Sequence, residues 1–375
     1  MHIWAIAPLL LLAIIIYAGR RIQQAFAGYI TRKKLYWAVY LFLALSFFLS
    51  RGLTFGSPSL NKVLAWLAGY IMALLFYAFF ILLLIDLIRI LDRWLGFVPD
   101  FIKRSPAKIG IAVMLMLLGL LAYGTWNARH PVFTSYEVNI AKDAPAFEQL
   151  HVILVTDVHL GEIVNTARLE NLVQQINQRN PDLVLIGGDL IDGDIAPFVE
   201  QNMGTILRQL HPRLGTYMAL GNHDGNGQEA VPYFEAAGIT VLSNQYQLID
   251  NSFYLVGEDF GGYQNLANPD PQLADIITGI NKTLPVILLK HAPANLEEAR
   301  ADGIDLQLSG HTHQGQLFPN NFITQKMYEV DWGYLQKDRL QVIVSTGFGT
   351  WGPPIRIGNT PEVVDLLINF KPGPQ

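Results

Sequence analysis

Cysteine is absent from the chain. Its absence removes disulfides, thiolate metal sites and cysteine nucleophiles together. It leaves the compartment open, because 375 residues can bury a sufficient core without covalent staples. Charge is the second shortage. Asp, Glu, Lys and Arg make up 15% of the residues, against about 25% in an ordinary soluble domain. The shortage is uneven: residues 1–130 hold 13 basic and 3 acidic side chains, whereas residues 131–375 hold 13 and 28. A basic, apolar front is joined to an acidic back. The back lacks the clustered Lys and Arg of a nucleic-acid groove, so no nucleic-acid partner is expected.

The front also lacks polar interruptions. Four apolar stretches, Ile3–Gly19, Leu35–Ser50, Val63–Ile85 and Ile109–Trp126, approach the roughly 20 residues that a helix needs to cross a bilayer core. The second is the weakest, being short and containing Ser46, although Tyr36, Trp37, Phe47 and Phe48 suit a membrane interface. No polar alternation runs along these stretches, as a soluble bundle would require. No basic residue precedes the first, so it does not read as a cleavable signal peptide. The connectors carry five, two and five basic residues: Arg20, Arg21, Arg32, Lys33 and Lys34; Arg51 and Lys62; Arg89, Arg93, Lys103, Arg104 and Lys108. By the positive-inside rule the first and third connectors are cytoplasmic. Four spans then place the acidic back outside the cytoplasm. Asp86 and Asp92 stand beside Arg89 and Arg93 near a span end and read as interfacial pairs. No charge lies in the middle of a span, which argues against a transporter. The expected organisation is a transmembrane helical domain of about four helices over 1–130, a polar linker over 131–149 and a folded domain over 150–375.

In that last domain strand-like and helical patterns alternate. Strands are expected at Leu150–Thr156, Asp182–Ile186, Thr216–Leu220, Pro285–Leu289, Asp305–Leu308, Leu340–Ser345 and Val363–Ile368. Tyr246–Asp250 and Ser252–Val256 flank a tight turn and read as a hairpin. Helical stretches fall at Asn165–Asn180, Ala196–Leu210 and Gln228–Ala237. The class is α/β, with a mixed sheet or two sheets.

Chemistry gathers where these strands end. Asp157-Val158-His159 follows the first, Gly187-Gly188-Asp189 the second and Gly221-Asn222-His223-Asp224 the third. Lys290-His291 and Gly310-His311-Thr312-His313 follow two later ones. Open α/β sheets place their sites outside the carboxyl ends of strands. Five of the nine histidines lie in these motifs, together with three aspartates and one asparagine. One histidine alone reads as structural; five at strand ends read as a metal site. Carboxylate, imidazole and amide oxygen, without sulfur, suit Mn, Fe, Zn or a related divalent ion.

The ordered blocks D-x-H, G-D, G-N-H-D, a lone H and G-H-x-H resemble the calcineurin-like metallophosphoesterase superfamily over roughly residues 150–370. The closing segment Ser345–Arg356, rich in Gly and Pro, resembles its branch of membrane-anchored bacterial phosphodiesterases. The resemblance implies a two-sheet mixed β sandwich flanked by helices. It also implies two divalent ions, with Mn expected and Fe, Zn or another ion as alternatives. One ion would take Asp157, His159 and His313, the other Asn222, His291 and His311, with Asp189 bridging. A hydroxide generated at the metals would attack phosphorus. His223 would stabilise the phosphoryl group and protonate the leaving alkoxide, with Asp224 orienting its imidazole. Arg356 reads as structural, pairing an acid rather than a phosphate, and Glu258-Asp259 as a solvated loop. The function expected is a membrane-bound two-metal phosphohydrolase, a phosphodiesterase or pyrophosphatase acting on an amphiphilic phosphate ester. The location expected is a bacterial inner or plasma membrane, with the bilayer and a phosphate-ester substrate, such as a lipid, as partners. The alternatives are a monoesterase or nucleotidase, and a phosphate-binding membrane sensor without turnover.

Overall fold

The computed structural model describes residues 3–46, 58–224, 229–260 and 271–371. These divide into two compact units, one within residues 1–126 and 352–355, the other within 127–351 and 356–375.

The first unit is helical: α1 (Ile3–Ala25), α2 (Lys33–Ala44), α3 (Pro58–Leu95) and α4 (Pro106–Ala128), with a single turn at Asp100–Lys103. Tyr36 and Tyr40 of α2 donate hydrogen bonds to the carbonyls of Gly19 and Ile15 on α1, each at 2.7 Å. These bonds tie the first two helices together. Among the described residues, two helices, Leu60–Leu95 and Pro106–Ala128, are long and apolar enough to cross a membrane. The expected third span is therefore longer than its apolar stretch. At 38 residues α3 reaches about 57 Å, and its last turns carry Asp86, Arg89, Asp92 and Arg93. The expected second span is shorter: α2 has 12 residues, about 18 Å, and residues 47–50 of that stretch lie outside the described residues. The interfacial pairs also differ. Asp86 pairs with Arg21 of α1 and, at 3.7 Å, with Arg89, whereas Asp92 pairs with Lys103 at 2.6 Å rather than with Arg93.

The second unit is built on two mixed sheets. One has the order β1-β12-β2-β3-β4-β5, from Val132–Ile140, Glu362–Phe370, Gln149–Val155, Leu183–Ile186, Thr216–Met218 and Ile239–Val241. The other runs β10-β11-β9-β8-β7-β6, from Gly333–Lys337, Leu340–Val344, Leu306–Ser309, Val286–Lys290, Phe253–Glu258 and Gln245–Ile249. The centre of each sheet is parallel, through β2-β3-β4-β5 and through β7-β8-β9-β11. Period-two alternation explains how both faces are filled. Leu150, Val152 and Leu154 of β2, with Leu183 and Leu185 of β3, face the core shared with Leu255, Ile287 and Leu308 of the other sheet. Ile153, Val155, Val184 and Ile186 face the opposite way, onto α5 (Thr166–Asn177). That helix presents Leu169, Leu172, Val173 and Ile176 at helical spacing. It begins at Asn165, whose side chain accepts from the Arg168 amide. Helices also cover the outer face of the second sheet. This is the sandwich expected from the resemblance.

Three local expectations change. The linker over 131–149 contains β1, which pairs in parallel with β12 along nine residues. It is an edge strand whose burial is confined to its last turns, Val138 and Ile140, so its polar composition conceals it. The helix expected over Ala196–Leu210 is two short helices, Ala196–Glu200 and Met203–Leu207, broken at Asn202 in the left-handed region (φ 53°). The helix expected from Gln228 begins at Val231 and ends at Ala236; Gln228 lies outside the described residues. The hairpin stands as expected. β6 and β7 pair antiparallel across Asp250 (φ 43°) and Asn251 (φ 51°), the two positive φ values of a tight primed turn.

Candidate metal centre

The carboxyl ends of β2, β3, β4, β8 and β9 converge on one cluster. Backbone bonds hold the strand-end loops together: the amides of Asp157 and His159 donate to the carbonyls of Gly188 and Asp189, both at 3.0 Å. Asp157 (φ 52°), His159 (51°), Asp189 (55°), His311 (70°) and His313 (46°) all occupy the left-handed region. That conformation is uncommon for non-glycine residues, and its concentration at five neighbouring polar positions is a mark of a functional site. Glycines make the close approach possible. A Cβ at Gly310 would overlap the Asp157 carboxylate, and one at Gly221 the Asp189 carboxylate.

Side chains then meet at short range. His313 Nε2 lies 3.3 Å from Asp157 Oδ1 and 3.1 Å from His159 Nε2. His291 Nε2 lies 3.2 Å from Asp189 Oδ2 and 3.9 Å from Asp157 Oδ1, and 3.2 Å from His311 Nδ1. Asp157, His159, Asp189, His291 and His313 are all buried. The His291 Nδ1–H donates to the Gly187 carbonyl at 2.8 Å, which leaves Nε2 facing the two carboxylates. Burial acts against the charge on every group, and the direction depends on whether neighbouring charges outweigh it. For His291 the burial penalty is outweighed by Asp189, and its pKa rises to about 10. For His311 burial, joined by the charge of His291, lowers it to about 4. His313 is likewise pushed down to about 4 by burial, although Asp157 pulls upward. Asp157 and Asp189 resist burial because the imidazoles beside them hold both well below the usual carboxylate range.

Two overlapping triads, Asp157/His159/His313 and Asp157/Asp189/His291, bring ligand atoms within 4.8 Å of one another. Asn222 supplies an independent observation: its Oδ1 is buried and accepts no hydrogen bond. A buried amide oxygen left unsatisfied costs free energy, and an ion beside the carboxylates and imidazoles would satisfy it. The donor set therefore fits divalent cations.

His223 sits at the mouth, its ring centroid 4.9 Å from that of His159. Its partner differs from expectation. The Asp224 carboxylate is wholly buried and turned inward, accepting from the amides of Asp189, Leu190, Ile191 and Gly221 at 2.7–3.2 Å. Burial, with Asp189 nearby, raises it to about 6. Four amides fix its oxygens, so it shapes the loops rather than orienting His223. The carboxylate beside His223 is Asp192, with Oδ1 3.5 Å from His223 Nδ1 and 3.3 Å from His159 Nδ1. Sequence reasoning missed Asp192; the available signal was an acid three residues after Asp189, in Gly188-Asp189-Leu190-Ile191-Asp192-Gly193.

Arg356 is structural, as expected, but its partners are not acidic. It is fully buried and donates to the carbonyls of Gly347 and Gly349, with Nη2 2.9 Å from His313 Nδ1. Glu258 departs from the solvated-loop reading. It ends β7 and forms a largely buried ion pair with Lys290, the residue before His291. Aromatic rings frame the cluster. Phe260 lies 5.0 Å from His311, Tyr328 6.2 Å from His311 and Trp351 6.4 Å from His223. Tyr328 follows α6 (Asn321–Met327), which exposes Phe322, Ile323 and Met327.

Residues 150–315 match the family model described as calcineurin-like phosphoesterase. The chain is 29% identical over 315 residues to a transmembrane protein with metallophosphoesterase domain of Danio rerio, covering 80% of this chain and 71% of that one. It is 32% identical to an uncharacterized metallophosphoesterase of Campylobacter jejuni, covering 69% of each. With a metallophosphoesterase of Aquifex aeolicus it shares 31% identity, over 60% of this chain and 88% of the relative.

Proposed function

This chain belongs to the calcineurin-like metallophosphoesterases, metal-dependent phosphoester hydrolases, and we propose that it is a membrane-bound phosphodiesterase or pyrophosphatase acting on an amphiphilic phosphate ester. The observation that carries the reading is the convergence of two carboxylates and three imidazoles at the strand ends; the Asn222 oxygen, buried and accepting no hydrogen bond, adds to it.

In this reading Asp157, His159 and His313 hold one ion, Asn222, His291 and His311 the other, and Asp189 serves both. Mn is the proposed metal, on the absence of sulfur and the mix of carboxylate and imidazole. Two divalent ions, when bound, supply Lewis acidity at phosphoryl oxygens and lower the pKa of water. The protein's own groups do the rest. The Gly187 carbonyl holds the His291 ring in the tautomer that offers Nε2. Asp192 stands beside Nδ1 of both His159 and His223, coupling the ligand shell to the proton donor. His223, a quarter exposed at the mouth, is placed to give a proton to the departing alkoxide. The amphiphilic substrate is supported by Phe260, Tyr328 and Trp351 around the cluster and by the apolar side chains exposed on α6.

The catalytic unit is proposed to lie outside the cytoplasm. The support is one helix. Arg89, Arg93, Lys103, Arg104 and Lys108 cluster before or at the start of α4, which at 23 residues is about 35 Å long, enough to cross the core and carry the chain to the other side. Turnover of a chromogenic phosphodiester by Mn-loaded full-length protein in detergent, absent in Asp189→Ala, tests the reaction. Preference for a monoester would replace diesterase with phosphatase. Bound metal without turnover of either would count against the reading.

A further inference from the structure

The helical unit contains a cavity of about 280 Å³ between α1, α3 and α4, close to the lower end of the range for small-molecule pockets, about 300 Å³. Its walls are apolar, with Phe26, Ala78 and Val113 among them, and Gly110 on α4 leaves room where a Cβ would press on the Phe26 ring at 2.9 Å. One end is different. There Arg21, Asp86 and Arg89 line the same space.

These three side chains do not balance. Asp86 accepts from Tyr17 at 2.7 Å and from Arg21. Arg89 approaches the same carboxylate only to 3.7 Å, and its side chain is half exposed. Two guanidinium groups thus share one carboxylate, and the end of the cavity carries a net positive charge. The wider surroundings have the same sign: residues 20–34 and 86–108 hold 10 basic and 3 acidic side chains. An apolar void gains dispersion contacts when a hydrocarbon chain enters it. A guanidinium pair beside it offers planar, charge-assisted donors suited to phosphate.

We propose that this cavity is a binding site for an anionic phospholipid, with one acyl chain between α1, α3 and α4 and the phosphate against Arg89 and Arg21. Its lining residues all belong to the helical unit. It gives the membrane unit a lipid preference that is independent of the hydrolase reaction.

The test is native mass spectrometry of full-length protein released from detergent holding equal amounts of phosphatidylglycerol and phosphatidylcholine with the same acyl chains. One uncompensated basic group near an anionic lipid is worth about a fivefold preference, so the wild type should retain phosphatidylglycerol about fivefold over phosphatidylcholine, near one molecule per chain. Arg89→Gln, a half-exposed position that should not disturb folding, should bring the preference to about one. Ala78→Phe should reduce retention of both lipids. Equal retention of the two lipids by the wild type would overturn the proposal, as would a preference unchanged in Arg89→Gln. Retention of both lipids unaltered by Ala78→Phe in protein that elutes as a single folded species would overturn the placement of the chain.

Discussion

The two compact units of this chain place their large apolar side chains in opposite ways. In the catalytic unit Leu154, Leu185 and Leu289 are wholly buried between the sheets. On α3 and α4 Leu84 and Leu115 are exposed at 57% and 64%. Leaving a leucine in water costs about 1.5–3 kcal/mol relative to burial, so a row of such residues supports the proposed membrane setting. The difference teaches that one unit is folded by water, while the other keeps the apolar surface that the proposed membrane setting would cover. Each unit must therefore be tested in its own solvent.

The largest effect should come from the metal centre. Asp189→Ala removes the carboxylate closest to His291 and frees the space that Gly221 leaves for it. Turnover should fall to the uncatalysed blank with metal content reduced, measured by assay and elemental analysis. Next comes His223→Ala, which should keep its metal but lose about 10²- to 10⁴-fold in kcat. Wild-type turnover in that variant would remove His223 from proton transfer.

Two aspartates sharpen the contrast between scaffold and chemistry. Asp192→Asn should leave the melting temperature close to wild type while costing about 10- to 100-fold in activity or metal affinity. Asp224→Ala should do the reverse in kind. It orphans four buried amide donors, each worth about 1–3 kcal/mol, and should unfold the domain at temperatures where wild type is folded. Thermal melts alongside activity distinguish the two. A smaller pair tests the solvent comparison itself. Leu154→Ala should cost about 2–5 kcal/mol in chemical denaturation, and Leu84→Ala about 0.5 kcal/mol or less in detergent. Equal losses would mean that α3 packs against protein at that position.

A separate expected effect is on pH. In the metal-free protein His291 is raised from its ordinary 6.5 to about 10. The stability this contributes is complete below 6.5 and is lost as pH rises through 10. A metal at Nε2 must displace the same proton. Mn affinity should therefore increase with pH over this window by about tenfold per unit for one proton, as titrations at pH 6, 7 and 8 would record. A pH-independent affinity would show that metal binding displaces no proton from His291.

Much of the catalytic unit is legible in its residues because parallel strands announce themselves as short buried runs and carry their chemistry at one end. The seven proposed metal ligands lie at those ends. What escaped has physical reasons. Asp192 sits on a loop where an acid next to glycine reads as an ordinary turn, and only the fold brings it beside His159 and His223. Asp224, adjacent to His223 in sequence, points the other way because four amides claim its oxygens. β1 is an edge strand with polar faces, and its parallel partner β12 is more than 200 residues away. In the helical unit composition reveals apolar stretches but not helix ends, so α3 outruns its apolar stretch, and the nearer partner of Asp86 and the partner of Asp92 lie on other segments.

The central claim is that this metal centre hydrolyses phosphodiesters through ions held by the strand-end ligands. The most direct measurement is metal content and diester turnover determined together on Mn-loaded full-length protein and on Asp189→Ala. The account predicts about two ions per chain with turnover in the wild type, and loss of both in the variant. Full metal occupancy and undiminished turnover in Asp189→Ala would contradict it.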